Sequence, residues 1–435
     1  MLIAHLADLH LGYRAYHRLA PGGINARERD VGQAFRVALD RVIALKPDLV
    51  LVAGDVFHTV RPSNAAIADA FRQFARLAAA LPATPIVVIA GNHDSPRAVE
   101  TGSILRLLAE IRGVVAVDDE ARRVALPELG AAVLCLPHAA LVGERTVPLE
   151  PDPAAATNLL LLHGTIGGDV ARQKLRWVTE YGGVTVEQEA IGPERWAYVA
   201  LGHYHIATEL APNMWYSGSV ERTSTNIWDE AGDKGFLTYD TAARRASFHA
   251  VPTRAVVDLP RFSAQGLAAA EIDARIRALT DALPGGVAGK LVRLVITEIP
   301  RDLFRELDHR RIRELKAEAL HFHLDARRPE IRRLVGYGAG QRRRTLDEEV
   351  AEYLRAVWQP SSAEIRVERL VELAEGYLAQ AGDAGAADTL VDSVAYLPDD
   401  VPDAAPGGSP EPGAADDDAP GSVRGSAGSD GPGAA

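Results

Sequence analysis

The chain has 435 residues, 47 basic against 59 acidic side chains, a net charge of −12 at pH 7 and one cysteine. That length predicts two or three domains of roughly 100–200 residues each, while one cysteine excludes an internal disulfide framework or a Cys-rich zinc module and makes a reducing, cytoplasmic compartment the expectation. Spread evenly, a charge of −12 would also argue against a polyanionic partner such as DNA.

The opening MLIAHLADLHLG has no basic run followed by a long apolar one, so no signal peptide is predicted. LIAHLA (2–7), DLVLVA (48–53), PIVVIA (85–90), AAVLCL (131–136), NLLLL (158–162) and WAYVAL (196–201) are short apolar runs ending at polar or glycine turns, and they predict buried strands. Between the first two, Val31, Phe35, Ala38, Leu39, Val42 and Ile43 recur at helical spacing before Pro47. Residues 64–81 repeat the pattern, with Ser63 or Asn64 as cap and Pro82 beyond the end. Strand–helix alternation of this kind predicts an α/β layered domain over 1–251, central sheets flanked by helices, with a mixed or largely parallel sheet.

From Pro252 the pattern changes to a second, smaller α/β domain, assigned to 252–344. Within it, 301–344 carries thirteen basic and seven acidic residues, a net of +6. LDEEVAEYLRAVW and AEIRVERLVELAEGYL, separated by QPSS, predict a helical hairpin over 345–382. From Asp383 to Ala435 the composition falls to Ala, Gly, Pro, Ser and Asp, which predicts a disordered tail. Eleven acidic residues against Arg424 give that tail −10 of the −12, so the preceding 382 residues carry only −2. No run of about 18 uncharged apolar residues predicts a membrane span.

Polar clusters stand at the predicted strand ends: Asp8-Leu9-His10, Gly54-Asp55-Val56-Phe57-His58, Gly91-Asn92-His93-Asp94, His163-Gly164 and Gly202-His203-Tyr204-His205. Loops leaving strand carboxyl ends are where such folds place chemistry. Asp8, His10, Asp55, Asn92, His163, His203 and His205 offer oxygen and imidazole ligands without a thiolate, too many for one catalytic zinc. They suit two divalent ions sharing a carboxylate, with Mn²⁺ favoured and Fe, Zn or Mg open. On an extended strand, residues i and i+2 point the same way, which would bring Asp8 beside His10 and His203 beside His205. Glycines 54, 91 and 202 would permit tight turns or close backbone approach. Two ions about 3.5–4 Å apart suit in-line phosphoester hydrolysis.

D-x-H, G-D-x-x-H, G-N-H-D, H-G and G-H-x-H in this order resemble the calcineurin-like metallophosphoesterases. DLHLG, GDVFH, GNHD, GHYH and YSGSVERTS are further similar to the SbcD-type nuclease subunits of DNA double-strand-break repair. The resemblance covers about 1–250 strongly and reaches weakly to 382. It implies that Asp8, His10 and His205 bind one ion, that Asn92, His163 and His203 bind the other, and that Asp55 bridges them. It implies further that His93 touches the scissile phosphate, with Asp94 able to orient its imidazole and His58 near the substrate. It also implies Mn²⁺-dependent 3′ to 5′ exonuclease and single-strand or hairpin endonuclease activity, a smaller domain capping a DNA channel, a homodimer, and an SMC-like coiled-coil ATPase docked on the helical segment. No G-x-x-x-x-G-K-[ST] loop occurs in these residues, so ATP hydrolysis would fall to that partner.

Two other readings stand beside this one: a metallophosphoesterase acting on a phosphoprotein or small phosphodiester, and a non-catalytic scaffold. Phosphoprotein phosphatases of this superfamily show D-R-G and G-N-H-E where this chain has GDVFH and GNHD, and a scaffold would be expected to have lost a ligand. The basic span 301–344 reads either as a solvated helix face or as a surface tracking DNA phosphates. Cys135 on its apolar strand reads as inert, and His5, His17, His138, His249 and His309 read as structural. His321 and His323 alternate on a predicted strand, where a half-buried face is the plain reading.

Overall fold

A computed structural model describes residues 1–95, 102–143, 148–175, 184–230, 232–329, 346–356 and 366–383. Asp383, predicted to open the tail, instead closes a helix over Val367–Asp383; the rest of the predicted tail, 384–435, and the Arg-rich stretch 330–345 lie outside the described residues.

β1 (Leu2–Leu6), β2 (Leu49–Val52), β3 (Ile86–Ile89) and β4 (Val114–Val117) run parallel in that order, joined early on by α1 (Ala26–Leu45) and α2 (Asn64–Ala80). LVLV and IVVI are buried at every position, as expected of parallel strands covered on both faces. Asn25 caps α1 by accepting from the amides of Arg27 and Glu28, and the helix ends at Lys46 in the left-handed conformation, just before Pro47. Of the two caps foreseen for α2, Ser63 is the one used, accepting from the Ala66 amide.

A second layer follows: β5 (Arg122–Leu126), β6 (Ala131–Leu136), α3 (His138–Val142), β7 (Thr157–His163), β8 (Thr165–Gly167), α4 (Asp169–Leu175), β9 (Thr185–Glu187), α5 (Gln188–Ile191), β10 (Tyr198–Gly202), β11 (Thr208–Ala211) and β12 (Met214–Tyr216). β13 (Gly235–Asp240) and β14 (Arg245–Ala250) return to the first sheet, with β13 antiparallel to β1. The two six-stranded sheets have the orders β14-β13-β1-β2-β3-β4 and β11-β12-β10-β7-β6-β5, both mixed, and β8 pairs with β9. Ile3, Leu49, Leu51, Val87 and Ile89 of the first pack on Val133, Cys135, Leu159, Leu161 and Tyr198 of the second. The helices α1 and α2 cover the outer face of the first sheet through Phe35, Leu39, Phe74 and Leu77. Helices therefore flank a pair of central sheets, and the parallel strands of both end on one edge.

β15 (Val256–Ser263), α6 (Ala269–Asp281), β16 (Leu291–Thr297), α7 (Arg301–Arg305), α8 (His309–Glu318) and β17 (His321–Ala326) form a three-stranded parallel sheet with its own apolar cluster around Ile272, Leu294, Ile296, Leu315 and Phe322. Arg18, in the loop before α1, donates to the carbonyls of Lys316, Ala317 and Ala319, placing a cation on the negative end of α8. Arg254 makes a bidentate pair with Asp30 of α1 and also donates to Gly289 O. Residues up to 329 belong to one unit; α9 (Leu346–Ala356) and α10 (Val367–Asp383) belong to a second and pack on each other. Among the described residues, no helix is long and apolar enough to cross a membrane.

Candidate metal centre

The five polar clusters sit at or just beyond the ends of β1, β2, β3, β7 and β10, at the shared edge of the two sheets. Their backbone is not extended: Asp8, His10, Asp55 and His203 have φ of 52°, 45°, 52° and 115°. The expected i, i+2 presentation from an extended strand is therefore corrected, because both pairs lie on turns after the strands have ended. Asp8, His10 and Asp55 take part in a zip between neighbouring loops, with Asp8 N donating to Gly54 O at 3.0 Å, His10 N to Asp55 O at 2.9 Å and Leu11 N to Val56 O at 2.9 Å. A left-handed non-glycine residue costs about 1–3 kcal/mol, so four at one edge are strain concentrated where the polar groups meet. The glycines act through proximity. A methyl on Gly91 would stand 2.1 Å from Asp55 Oδ1, and one on Gly202 would stand 1.8 Å from Ala53 O.

Asp55 Oδ2 lies between two sets of nitrogens, 3.7 Å from His10 Nε2 and 3.5 Å from His163 Nε2. On the first side His10 Nε2 faces His205 Nε2 at 2.9 Å, and Asp8 completes a group whose ligand atoms lie within 4.8 Å of one another. On the second, Asn92 Oδ1 is 2.9 Å from His163 Nε2 and 3.2 Å from His203 Nδ1. His163 Nδ1 donates to Ala53 O at 2.7 Å, which fixes the tautomer and leaves a lone pair on Nε2. The His203 amide donates to both oxygens of Asp8, and the His93 amide to Asp55 Oδ1 at 2.9 Å. Burial, reinforced by crowding with His205, His93 and His58, holds His10 well below the ordinary imidazole range; burial and His163 pull His203 down to about 3. Burial also lowers His163, against the pull of Asp55. These are neutral imidazoles at pH 7, the form that binds metal.

The residues fit a pair of divalent ions. Two buried Nε2 atoms at 2.9 Å beside carboxylates are lone pairs converging on a cation position, and His203 Nε2 is buried with no hydrogen-bond partner among the described residues. All seven ligand candidates are brought to this edge. His93 and His58 are there too: the rings stack at 5.3 Å, His93 Nδ1 donates to His58 O at 2.7 Å, and His93 meets the edge of His10 at 4.9 Å. Burial and then His93 lower His58 to about 4.

Asp94 differs from the expectation. Its carboxylate does not hold the His93 ring; it accepts from the amides of Val56 (3.0 Å), Phe57 (2.8 Å) and Gly91 (3.1 Å), tying the second-strand loop to the third. Three loop amides pointing into a buried space need an acceptor more than His93 does, since the His58 carbonyl already serves that ring. Burial and the facing Asp55 push the Asp94 carboxyl up, to about 8, against those amides.

His138, read as structural, opens α3 with its amide on Ala90 O, and its ring interacts electrostatically with Asp55 and His93. A Pro-His after an apolar strand gives no spacing signal for this position. The sequence reading also missed two buried charged residues behind His205, Glu230 and Lys234. His5 instead sits in the core against the Tyr198 hydroxyl at 2.8 Å, and burial pushes the Cys135 thiol up to about 12. His321 and His323 stack at 6.0 Å along β17.

Residues 1–207 match the family profile described as calcineurin-like phosphoesterase, and divalent-metal binding comes with that match. The chain is 27% identical over 255 residues to the DNA double-strand break repair protein Mre11 of Methanocaldococcus jannaschii, which covers 55% of this chain and 62% of that protein. It is 29% identical over 204 residues to the protein of the same name from Sulfurisphaera tokodaii (47% and 48%), and 35% identical over 113 residues to that of Methanococcus maripaludis (26% and 28%). The chain thus spans less than two thirds of the length of each of these curated relatives. Its strand-end clusters, their geometry and the profile agree: residues 1–207 form a calcineurin-like phosphoesterase domain.

Proposed function

We propose that the chain is a two-metal DNA nuclease of double-strand-break repair. The carrying observation is Asp55 Oδ2, poised between the His10 and His163 nitrogens at 3.7 and 3.5 Å. In this reading Asp8, His10 and His205 hold one ion, Asn92, His163 and His203 the other, and Asp55 bridges. The ions, Mn²⁺ by the mixed imidazole and carboxylate set, would polarise a phosphodiester and make the attacking water nucleophilic at neutral pH. With Nδ1 committed to the His58 carbonyl, His93 has Nε2 left to stabilise the scissile phosphate or protonate the leaving oxygen. His58 backs that ring by its carbonyl and by stacking, and Asp94 serves as the clamp of the loops rather than as a partner of His93.

DNA as substrate, with 3′ to 5′ exonuclease and single-strand or hairpin endonuclease activity, rests on the likeness to Mre11 proteins, named for double-strand break repair. The small parallel sheet and its helices form, on this reading, the cap of a 252–344 domain beside a 1–251 nuclease domain. Its exposed Arg301, Arg305, Arg310, Arg313 and Lys316 suit phosphate contact. In the 345–382 segment, Tyr353, Leu373 and Tyr377 are exposed, which suits an SMC-like coiled-coil ATPase docking along a helix. The apolar patch of Ile67, Phe71 and Leu107 suits a second copy, hence a homodimer. A cytoplasmic location, with no membrane partner, follows from the single free cysteine and the DNA substrate.

Incubation with linear, hairpin and single-stranded DNA and, separately, with bis-p-nitrophenyl phosphate, in Mn²⁺ or Mg²⁺, tests the proposal. Cleavage of DNA, lost in His93→Ala while metal is retained, is the expected result. Hydrolysis of the small diester without any DNA cleavage, even with the ATPase partner added, would return the chain to the small-phosphodiester reading. No hydrolysis of either substrate would leave the scaffold reading.

A further inference from the structure

Behind His205 the fold buries a charged pair that the proposed chemistry does not use. Glu230 and Lys234 are 6% and 1% exposed and form an ion pair with each other. Glu230 Oε1 lies 3.7 Å from His205 Nδ1, on the side of the ring away from His10. The same oxygen accepts from the amides of Thr223 (3.1 Å) and Ser224 (2.7 Å), so the carboxylate is fixed from below. Lys234 Nζ donates to the His205 carbonyl at 2.7 Å, and the Ser219 amide donates to that carbonyl at 3.2 Å. Ring and backbone of one residue are thus gripped by two charges four positions apart.

A buried pair is a poor way to gain stability. Removing two ions from water costs several kcal/mol each, and an apolar pair of similar shape is often as stable or more so. Its placement gives the better reason for keeping it. His205 turns Nε2 toward His10 and the cation position, which leaves Nδ1 as the nitrogen an outer carboxylate can hold; that partner fixes the ring and raises the basicity of the ligating nitrogen. The Lys234 ammonium and the two loop amides are the partners that a buried carboxylate anion needs.

We infer that Glu230 and Lys234 are positioning residues for one of the two ions: Glu230 orients the His205 imidazole and makes its ligating nitrogen more electron-rich, and Lys234 anchors both Glu230 and the His205 backbone. The inference rests on the reading that Asp8, His10 and His205 hold that ion. Glu221 is the natural control, since it is equally buried and charged but pairs with Arg27, at 3.4 Å.

The test is calorimetric titration of the full chain with Mn²⁺ alone, with manganese spin resonance as a second readout. Wild type should bind two ions. Glu230→Gln keeps the acceptor for both amides and loses the charge, so it should weaken one ion about 10- to 100-fold and leave the other at wild-type affinity. Glu221→Gln should bind both as wild type does. Should Glu230→Gln misfold, the neutral double variant Glu230→Gln/Lys234→Met keeps the shape without a lone buried charge and should show the same selective loss. Wild-type affinity for both ions in either folded variant overturns the inference while sparing the metal-site reading; equal weakening in Glu221→Gln overturns it too. A wild type that binds no Mn²⁺ would instead defeat the site reading itself.

Discussion

At Gly91 an added methyl would stand 2.1 Å from Asp55 Oδ1, the oxygen opposite the one that faces both ligand sets. Gly91→Ala should therefore displace that carboxylate, cost about 2–4 kcal/mol of stability and weaken both ions. Urea unfolding and manganese titration check this, and a variant with wild-type metal affinity would contradict it. His5 supplies a pH dependence. Burial lowers its pKa from 6.5 to about 3, so the unfolded chain takes up a proton there before the folded one does. Its stabilising contribution is whole above pH 6.5 and is lost as pH falls toward 3, at roughly 1.4 kcal/mol per unit. His5→Gln should lose less stability than wild type between pH 6.5 and 4, measured by thermal unfolding; parallel curves would contradict it. The ligand candidates were legible because Asp, Asn and His beside glycine at successive strand ends form a joint pattern. Glu230 and Lys234 were not, since a Glu and a Lys four apart in a polar loop look solvated until the fold closes over them.

At the level of elements, the parallel strands could be read directly. Strands buried on both faces are continuous apolar runs, and AAVLCL coincides with β6 to the residue. The short strands TELA and MWY, β11 at the edge of the second sheet and β12 beside it, carry too little pattern to separate from loop. The loops were misjudged for a different reason. The left-handed turns at Asp8, His10 and Asp55 lie in the zip between 8–11 and 54–57, a contact between segments more than forty residues apart that no local periodicity encodes. Asp94 closes the same assembly through three amides. Asp94→Ala leaves those buried donors unpaired, at about 1–3 kcal/mol each, and should destabilise by about 3 kcal/mol or more. An unchanged urea midpoint would show that the loops hold without it.

For the whole molecule, the net charge of −12 is a sum of unlike parts. A nearly neutral body carries a basic span, and 383–435 carries −10. If the acidic tail competes with DNA for that span, removing 384–435 should tighten DNA binding at low salt, with the gain shrinking as salt rises; unchanged affinity would reduce the tail to a solubilising role. Deleting 345–382 should abolish co-purification with an SMC-like ATPase and spare metal binding, and unchanged co-purification would count against that docking surface. In the proposed reading one carboxylate, Asp55, joins two ions at the meeting edge of the two sheets. Manganese stoichiometry in wild type and Asp55→Ala tests it most directly. Wild type should hold two ions per chain and the variant should lose at least one; two ions at full occupancy in Asp55→Ala would rule out the bridge.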